Sequence, residues 1–387
     1  MSVTAARGFR AAGVAAGLKA SGRPDVALVV NDGPEHAAAA VFTTNRVQAA
    51  PVLWSRQVLA GGRLAAVVLN SGGANACTGP AGFADTHATA ERVAGTLGSA
   101  VCGGAGEVAV CSTGLIGEPL DLPRLLAGVD AAVPMLSREG GAAAAAAILT
   151  TDSVTKEAVC SLDGFTVGGM AKGAGMLAPG LATMLVVLSS DACVDPAVCD
   201  RALRAATAVT FDRIDSDGCL STNDTVVLLA SGASGVRPHP GRFAAAVQDV
   251  CAQLAHALIT DAEGAEHDIA VTVTEAANDG DALEVARAVA RSNLLKCAVF
   301  GRDPNWGRVL AAVGTTSAAF EPDALDVSIN GVKVCISSAP GEPRGLVDLS
   351  ARQVGIIVTL HAGAHSATVL TNDLTTAYVH ENSAHST

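Results

Sequence analysis

Lys172-Gly173-Ala174-Gly175-Met176-Leu177-Ala178-Pro179-Gly180-Leu181-Ala182-Thr183-Met184-Leu185 is the stretch on which the reading of this chain turns. A loop rich in Gly and Pro delivers a threonine to the first position of an apolar run, Thr183 to Leu188. Gly and Pro punctuate loops and Thr favours strands, so a turn leading into a buried strand accounts for the pattern locally. The same pattern suits a nucleophile held mid-chain until the bond before it breaks. A threonine hydroxyl needs an adjacent base. Cleavage of Ala182–Thr183 would supply one, because the new α-amino group titrates near roughly 7.7–8.0. One cut then creates nucleophile and base on a single residue.

The surrounding chain bounds the choice. Its 387 residues are enough for one large or two ordinary domains. Half are hydrophobic but only 3% aromatic, so Ala, Val, Leu and Gly must fill the core. Mean hydropathy is +0.39, yet Gly and polar residues interrupt every apolar stretch before the ~20 residues of a membrane span. The Arg- and Ala-containing start is broken by Gly13, Gly17 and Lys19, and reads as fold rather than leader. A net charge of −12 and no basic cluster argue against nucleic acid or an anionic membrane as partner. Ten scattered cysteines without a C-x-x-C pair suit free, buried thiols in a reducing cytoplasm. His361 and His365 stand four apart in a strand-like region, where helical metal-ligand geometry is lacking, so no metal is assigned.

Strand-like runs alternate with helical ones and no repeat intervenes. The strands are expected at Ala27–Val30, Ala65–Leu69, Glu107–Cys111, Thr183–Leu188, Thr225–Ala230, Ile269–Thr274, Leu325–Ile329 and Gly355–Leu360. Helices are expected at Asp85–Leu97, Arg201–Thr207, Arg242–Ile259 and Leu283–Ala290; the third places Phe243, Val247, Val250, Leu254 and Leu258 on one face. The mixture predicts α+β layers rather than a doubly wound nucleotide fold. GGMAKGAG (168–175) lacks the Gly-Lys-Ser/Thr order of a phosphate loop, and GGAGEV (103–108) precedes a strand instead of following one.

Read beside CSTGLIG (111–117), the opening segment resembles the glutamate N-acetyltransferase/ornithine acetyltransferase family of arginine biosynthesis. The likeness runs nearly end to end. It takes in GFRAAGVAAGLK (8–19), NSGGANACTG (70–79), LTTD (149–152), STNDT (221–225), DAEGA (261–265), DPNWGRV (303–309) and the terminal AYVHENSAHST. The resemblance implies a layered αββα-like sandwich of the N-terminal-nucleophile type. It implies autocleavage between Ala182 and Thr183 into an α piece, 1–182, and a β piece, 183–387, associated as α2β2. It implies ping-pong acetyl transfer through acetyl-Thr183, from N-acetylornithine to glutamate, with acetyl-CoA a second donor in bifunctional members.

Under that resemblance Thr113 and Gly114 are the oxyanion pair, and Thr150, Lys172, Thr183, Glu263, Asn382 and Thr387 hold the amino acid. Each has a plainer reading. Thr113-Gly114 would serve any strand-to-loop turn, Thr150 could cap a helix, and Lys172 could be a solvated loop lysine. Asp261 and Glu263 follow a long helix whose macrodipole disfavours acids there, which suggests a task such as binding the ornithine ammonium. The tail HENSAHST reads by composition as disordered and by resemblance as folded over the site. DPNWGRV is expected as a tight turn beside the site; it, NSGGANACTG and STNDT receive no catalytic role, the last two being expected as glycine-rich or polar turns that shape the pocket. No cofactor is required, with acetyl-CoA at most a substrate. The rivals are an N-terminal-threonine amidase or aminopeptidase that passes the acyl group to water, and a non-catalytic binding protein that keeps the fold.

Overall fold

The apolar runs assemble into two central sheets; the computed structural model describes residues 2–178 and 184–384. Phe9–Val14, Val26–Asn31, Ala66–Asn70 and Val108–Ser112 lie side by side in that order, the last pair parallel. The second sheet runs Ala37–Phe42, Thr225–Ala230, Leu185–Ser190, Phe165–Lys172, Lys156–Leu162. Val26–Asn31, Ala66–Asn70, Leu185–Ser190 and Thr225–Ala230 are buried at every position. Strands covered on both faces read as continuous apolar runs, which is why they were legible in the sequence.

Between the sheets, Ala27, Val29, Val67 and Leu69 meet Met170, Leu185, Val187 and Val227 in one core. The outer face of the first sheet packs Leu28, Val68 and Val110 with Ala90, Val93, Leu125 and Val129 of helices Gly79–Leu97 and Leu122–Ala132. The outer face of the second packs Val186, Leu188, Val226 and Leu228 under helices Pro196–Val209 and Pro240–Thr260. Helix, sheet, sheet, helix: the expected αββα sandwich. The helix Pro240–Thr260 has the length and hydropathy of a membrane crossing, but Phe243, Val247, Val250, Leu254 and Leu258 are buried in this core.

All four expected helices begin earlier than expected, at Gly79, Pro196, Pro240 and Asp279 instead of Asp85, Arg201, Arg242 and Leu283. The first three carry Pro in their first two positions, where the missing N–H would have no helical partner anyway, and the last is capped by Asn278. Asp195 caps the second by accepting from Val198 N–H at 2.8 Å.

A second body follows. Its sheet orders Ala339–Pro340, Val332–Ile336, Asp326–Ile329, Gln353–Thr359, Asp268–Ala276 and His365–Asn372, with helices Asp279–Ala290, Asn293–Phe300 and Trp306–Val313 supplying the apolar cover. DPNWGRV belongs here. Asn305 accepts from Arg308 N–H at the start of Trp306–Val313, and none of the motif lines the cavity described below, so the expected turn beside the site is instead a helix start. Of the ten free cysteines five are buried, whereas Cys77, Cys219 and Cys297 are exposed, against the expectation of buried thiols throughout. Phe165–Lys172 pairs antiparallel with Leu185–Ser190, and Ala37–Phe42 with Thr225–Ala230, so residues from both sides of position 183 share one sheet.

Candidate active site

Strand Val108–Ser112 delivers Thr113 and Gly114 to the edge of a cavity. The Thr113 N–H donates to the Asn70 carbonyl at 3.0 Å, continuing the sheet by one bond. The Asn223 amide donates to the Ser112 carbonyl at 2.8 Å and the Ala74 carbonyl at 2.6 Å, fastening strand end and facing loop together. Gly114 has φ +127°, and a Cβ there would stand 2.9 Å from the Gly73 nitrogen. The position therefore demands glycine twice over, for conformation and for space. Thr113 is buried, and its Oγ1 accepts from Lys172 Nζ at 3.3 Å. A hydroxyl that accepts from a lysine keeps its own proton to donate elsewhere.

Lys172 ends the strand Phe165–Lys172 and is itself buried, so it is no solvated loop lysine. Burial pushes its ammonium down; Asp152 opposes that shift and Lys156 adds to it. Asp152 Oδ1 accepts from Lys156 Nζ and from Gly173 N–H, each at 2.6 Å. Its Oδ2 accepts from Thr150 N–H at 3.1 Å, which holds Thr150 in a turn after helix Gly141–Ala147 rather than as a helix cap. Lys156 also pairs with Asp261 at 2.6 Å. Burial alone would raise the Asp152 carboxyl, but Lys172, Lys156 and the Gly173 N–H bring it to about 2.

That folded value lies below the ordinary carboxylate value, so the stabilisation is complete above about pH 4 and is lost as pH falls toward 2. Asp152→Asn removes the negative charge between two buried ammonium groups, leaving Lys156 with Asp261 alone, and is expected to cost about 3–5 kcal/mol at neutral pH. Denaturant midpoints of both proteins from pH 7 to pH 2 check this: the gap should narrow across that acid window, and a constant gap would refute the ionic account.

Glu263 follows the end of the helix Pro240–Thr260. Its neighbour Asp261 is spent on Lys156 and Ser153, so the two acids placed against the helix dipole have different tasks. The Glu263 N–H donates to the Ala174 carbonyl at 2.9 Å, tying it to the loop after Lys172. Oε1 accepts from Thr151 Oγ1 at 2.7 Å and Oε2 from Asn382 Nδ2 at 3.0 Å. A Cβ on Gly175 would meet this carboxylate at 2.6 Å, so any side chain there would displace it.

The tail is not disordered up to residue 384. Residues Thr376–Ala384 form a helix that crosses Gly264 so closely that a Cβ there would stand 2.2 Å from the Tyr378 nitrogen. Gly264 also has φ +62°. Gly264→Ala is therefore expected to lift this helix and draw Asn382 from Glu263. Limited proteolysis should find the tail cut at least tenfold faster than in the parent, while the sandwich stays resistant.

A cavity of about 380 Å³ gathers Thr113, Gly114, Thr150, Lys172, Glu263 and Asn382 from five separate parts of the chain. Ala182, Thr183 and Thr387 lie outside the described residues. Ser221, Thr222 and Asn223 of STNDT also line it, and Thr151 touches Glu263, a contact not assigned from the sequence. STNDT was visible as a motif, but nothing in its composition separates a site wall from a polar turn.

The sequence model of the ArgJ family matches residues 10–387. Arginine biosynthesis bifunctional protein ArgJ of Streptomyces avermitilis is 66% identical over 386 residues, covering 100% of both chains. The proteins of that name from Streptomyces coelicolor, 64% identical over 100% of both chains, and Mycobacterium tuberculosis, 58% identical over 99% of this chain and 96% of its own, align similarly. Among solved structures, the ornithine acetyltransferase of Mycobacterium tuberculosis complexed with ornithine is 62% identical over 48% of this chain and 96% of its own, with a TM-score of 0.45. The ArgJ structure from Bacillus halodurans is 36% identical over 51% of this chain and 98% of its own, with a TM-score of 0.49. A family match over nearly all its length and full-length relatives at such identity leave one assignment: the chain belongs to the ArgJ family.

Proposed function

We infer that this protein transfers the acetyl group of N2-acetyl-L-ornithine to L-glutamate, giving L-ornithine and N-acetyl-L-glutamate for L-arginine biosynthesis. One observation carries the site assignment. A single cavity joins a hydroxyl and glycine N–H pair to a buried ammonium, Lys172, and a carboxylate, Glu263. Acyl transfer needs the first, because a tetrahedral intermediate carries negative oxygen. Basic and acidic amino acids need the other two.

In this reading the chain cuts itself between Ala182 and Thr183 into pieces 1–182 and 183–387. The freed α-amine takes the Thr183 hydroxyl proton as Oγ1 attacks the acetyl carbonyl carbon. Thr113 Oγ1–H and Gly114 N–H hold the oxyanion, and ornithine departs with the proton. Glutamate then attacks acetyl-Thr183 with its amine and regenerates the hydroxyl. Lys172 pairs with substrate carboxylate and Glu263 with the ornithine ammonium, while Thr150, Asn382 and Thr387 complete the pocket. Acetyl-CoA serves as a second donor to glutamate, and no bound cofactor takes part. The enzyme works in the cytoplasm as α2β2.

Glu263→Gln keeps the hydrogen bond with Thr151 but removes the charge. A charged hydrogen bond contributes about 1.5–3 kcal/mol, or roughly 10–100-fold. The KM for N-acetylornithine should rise by that factor, with a smaller change for glutamate. Equal changes for both substrates would remove Glu263 from ammonium recognition. Labelled acetyl-CoA with glutamate tests the second donor: label in N-acetylglutamate is the expected result. Acetate release from N-acetylornithine that glutamate does not stimulate would favour the amidase reading.

A further inference from the structure

A second cavity, of about 370 Å³, adjoins the first at Glu263, the one described residue that both linings share. The tail helix Thr376–Ala384 serves both, with Asn382 lining the first and Tyr378 the second. The charges of the second cavity divide by partner. Arg291 Nε pairs with Asp215 at 2.6 Å. Asp373 accepts from the N–H groups of Glu266 and His267 and meets His267 Nδ1 at 2.7 Å. Three others, among the described residues, hydrogen-bond only to neutral groups and form no ion pair. Lys296 is 5% exposed, and its Nζ donates to the Ser216 carbonyl and to Thr371 Oγ1, the latter at 3.2 Å. Asp217 accepts from the Cys219 N–H at 3.0 Å, and Glu263 from Thr151 and Asn382. Burial pushes the Lys296 ammonium down, against Asp217, Asp215 and Asp373 beyond ion-pair reach, and pushes the Asp217 carboxyl up. Ligand charges of opposite sign would reverse both shifts.

One cation and two anions without counter-ions call for the reverse set, one carboxylate and two cations. That is the charge pattern of a basic α-amino acid. Lys296 stands in the first turn of the helix Asn293–Phe300, whose positive end also favours a carboxylate. Leu374 and Tyr378 supply apolar wall for an aliphatic stem. We propose that this second cavity binds a basic α-amino acid, carboxylate at Lys296 and cationic groups at Asp217 and Glu263, and that its occupant weakens the hold of the first cavity on N-acetylornithine. The coupling is electrostatic, because one carboxylate cannot fully serve two ammonium groups, and it is reciprocal. The binding stands apart from the Glu263 reading above; the coupling rests on it.

Calorimetry on the full enzyme uses L-lysine as probe, which is neither substrate nor product of the reaction above. L-Norleucine keeps the stem without the distal cation, and cadaverine keeps two cations without the carboxylate; each should bind at least ~10-fold more weakly. L-Lysine should lose as much with Lys296→Met, which removes the ammonium, and with Asn293→Trp, which fills the cavity from an exposed position. Asn293→Trp leaves Lys296 in place, so it decides the matter if Lys296→Met does not fold. In steady-state assays, saturating L-lysine should raise the KM for N-acetylornithine roughly fivefold or more in the parent and leave it level in Asn293→Trp. No calorimetric binding, equal binding of either control, or binding undiminished in Asn293→Trp would overturn the site. A KM raised equally in both proteins would place lysine in the first cavity and overturn the coupling. Binding that Asn293→Trp abolishes, with KM unmoved in the parent, would uphold the site and overturn only the shared use of Glu263.

Discussion

Thr183→Ala is expected to leave the chain whole at 38.4 kDa and to lower acetyl transfer by on the order of 10⁶, below detection. Both losses follow from one deleted hydroxyl. Without Oγ1 no ester shift can occur, so no new N-terminus forms, and without an N-terminus the base is missing along with the nucleophile. The substitution should spare the fold: Met184 keeps its N–H on Asp224, and Leu185–Ser190 keeps strands on both sides. Intact mass and glutamate-dependent release of ornithine check the two effects on one preparation. A variant that is cut at 182/183 or that turns over would show that another residue is the nucleophile.

Thr113→Val should lower kcat by about 10²–10³ with little change in KM. Valine matches the volume of threonine and suits a strand end, so packing around Thr113 should hold. What disappears is a donor aimed at charge present only in the transition state, and such a loss falls on kcat. A second effect comes from Lys172, whose Nζ donates to that hydroxyl at 3.3 Å. Removing the acceptor leaves the buried ammonium more dependent on Asp152. Steady-state kinetics over both substrates distinguish the outcomes. A rise in KM with kcat unchanged would make Thr113 a binding residue rather than an oxyanion donor.

How far the sequence foretold this arrangement depended on the range of the signal. The helix over Phe243, Val247, Val250, Leu254 and Leu258 declared itself because its spacing is local and its face is wholly buried. Thr225–Ala230 was read to the residue for the same reason. The helices start at Pro196 and Pro240, ahead of the expected Arg201 and Arg242, because a first helical turn tolerates proline, a feature that apolar spacing does not report. The second body was not foreseen as a unit, since its sheet joins Asp268–Ala276 to Gln353–Thr359 across a long separation that no local pattern encodes. Thr113 and Lys172 had no more than ordinary local signals and Glu263 only its place against a helix dipole, and it was resemblance that grouped them. Asp224 lay in a quoted motif, but whether an acid before a strand faces water or a core is decided by the strand it meets, Leu185–Ser190.

The interleaved five-stranded sheet has a consequence for how the protein dies. Before the cut, Ala37–Phe42, Phe165–Lys172 and Lys156–Leu162 are joined to Leu185–Ser190 and Thr225–Ala230 by peptide, and unfolding is a first-order event. After a cut at 182/183 the two middle strands belong to one chain and the three flanking strands to another, so neither piece retains a complete sheet. Their reunion becomes second order. The melting point of the mature form should then rise more steeply with protein concentration than that of the uncut Thr183→Ala chain, because only in the former do the two pieces of each sheet also part on unfolding. Processing would thus exchange a fold that can re-form alone for one that, once lost at dilution, does not come back.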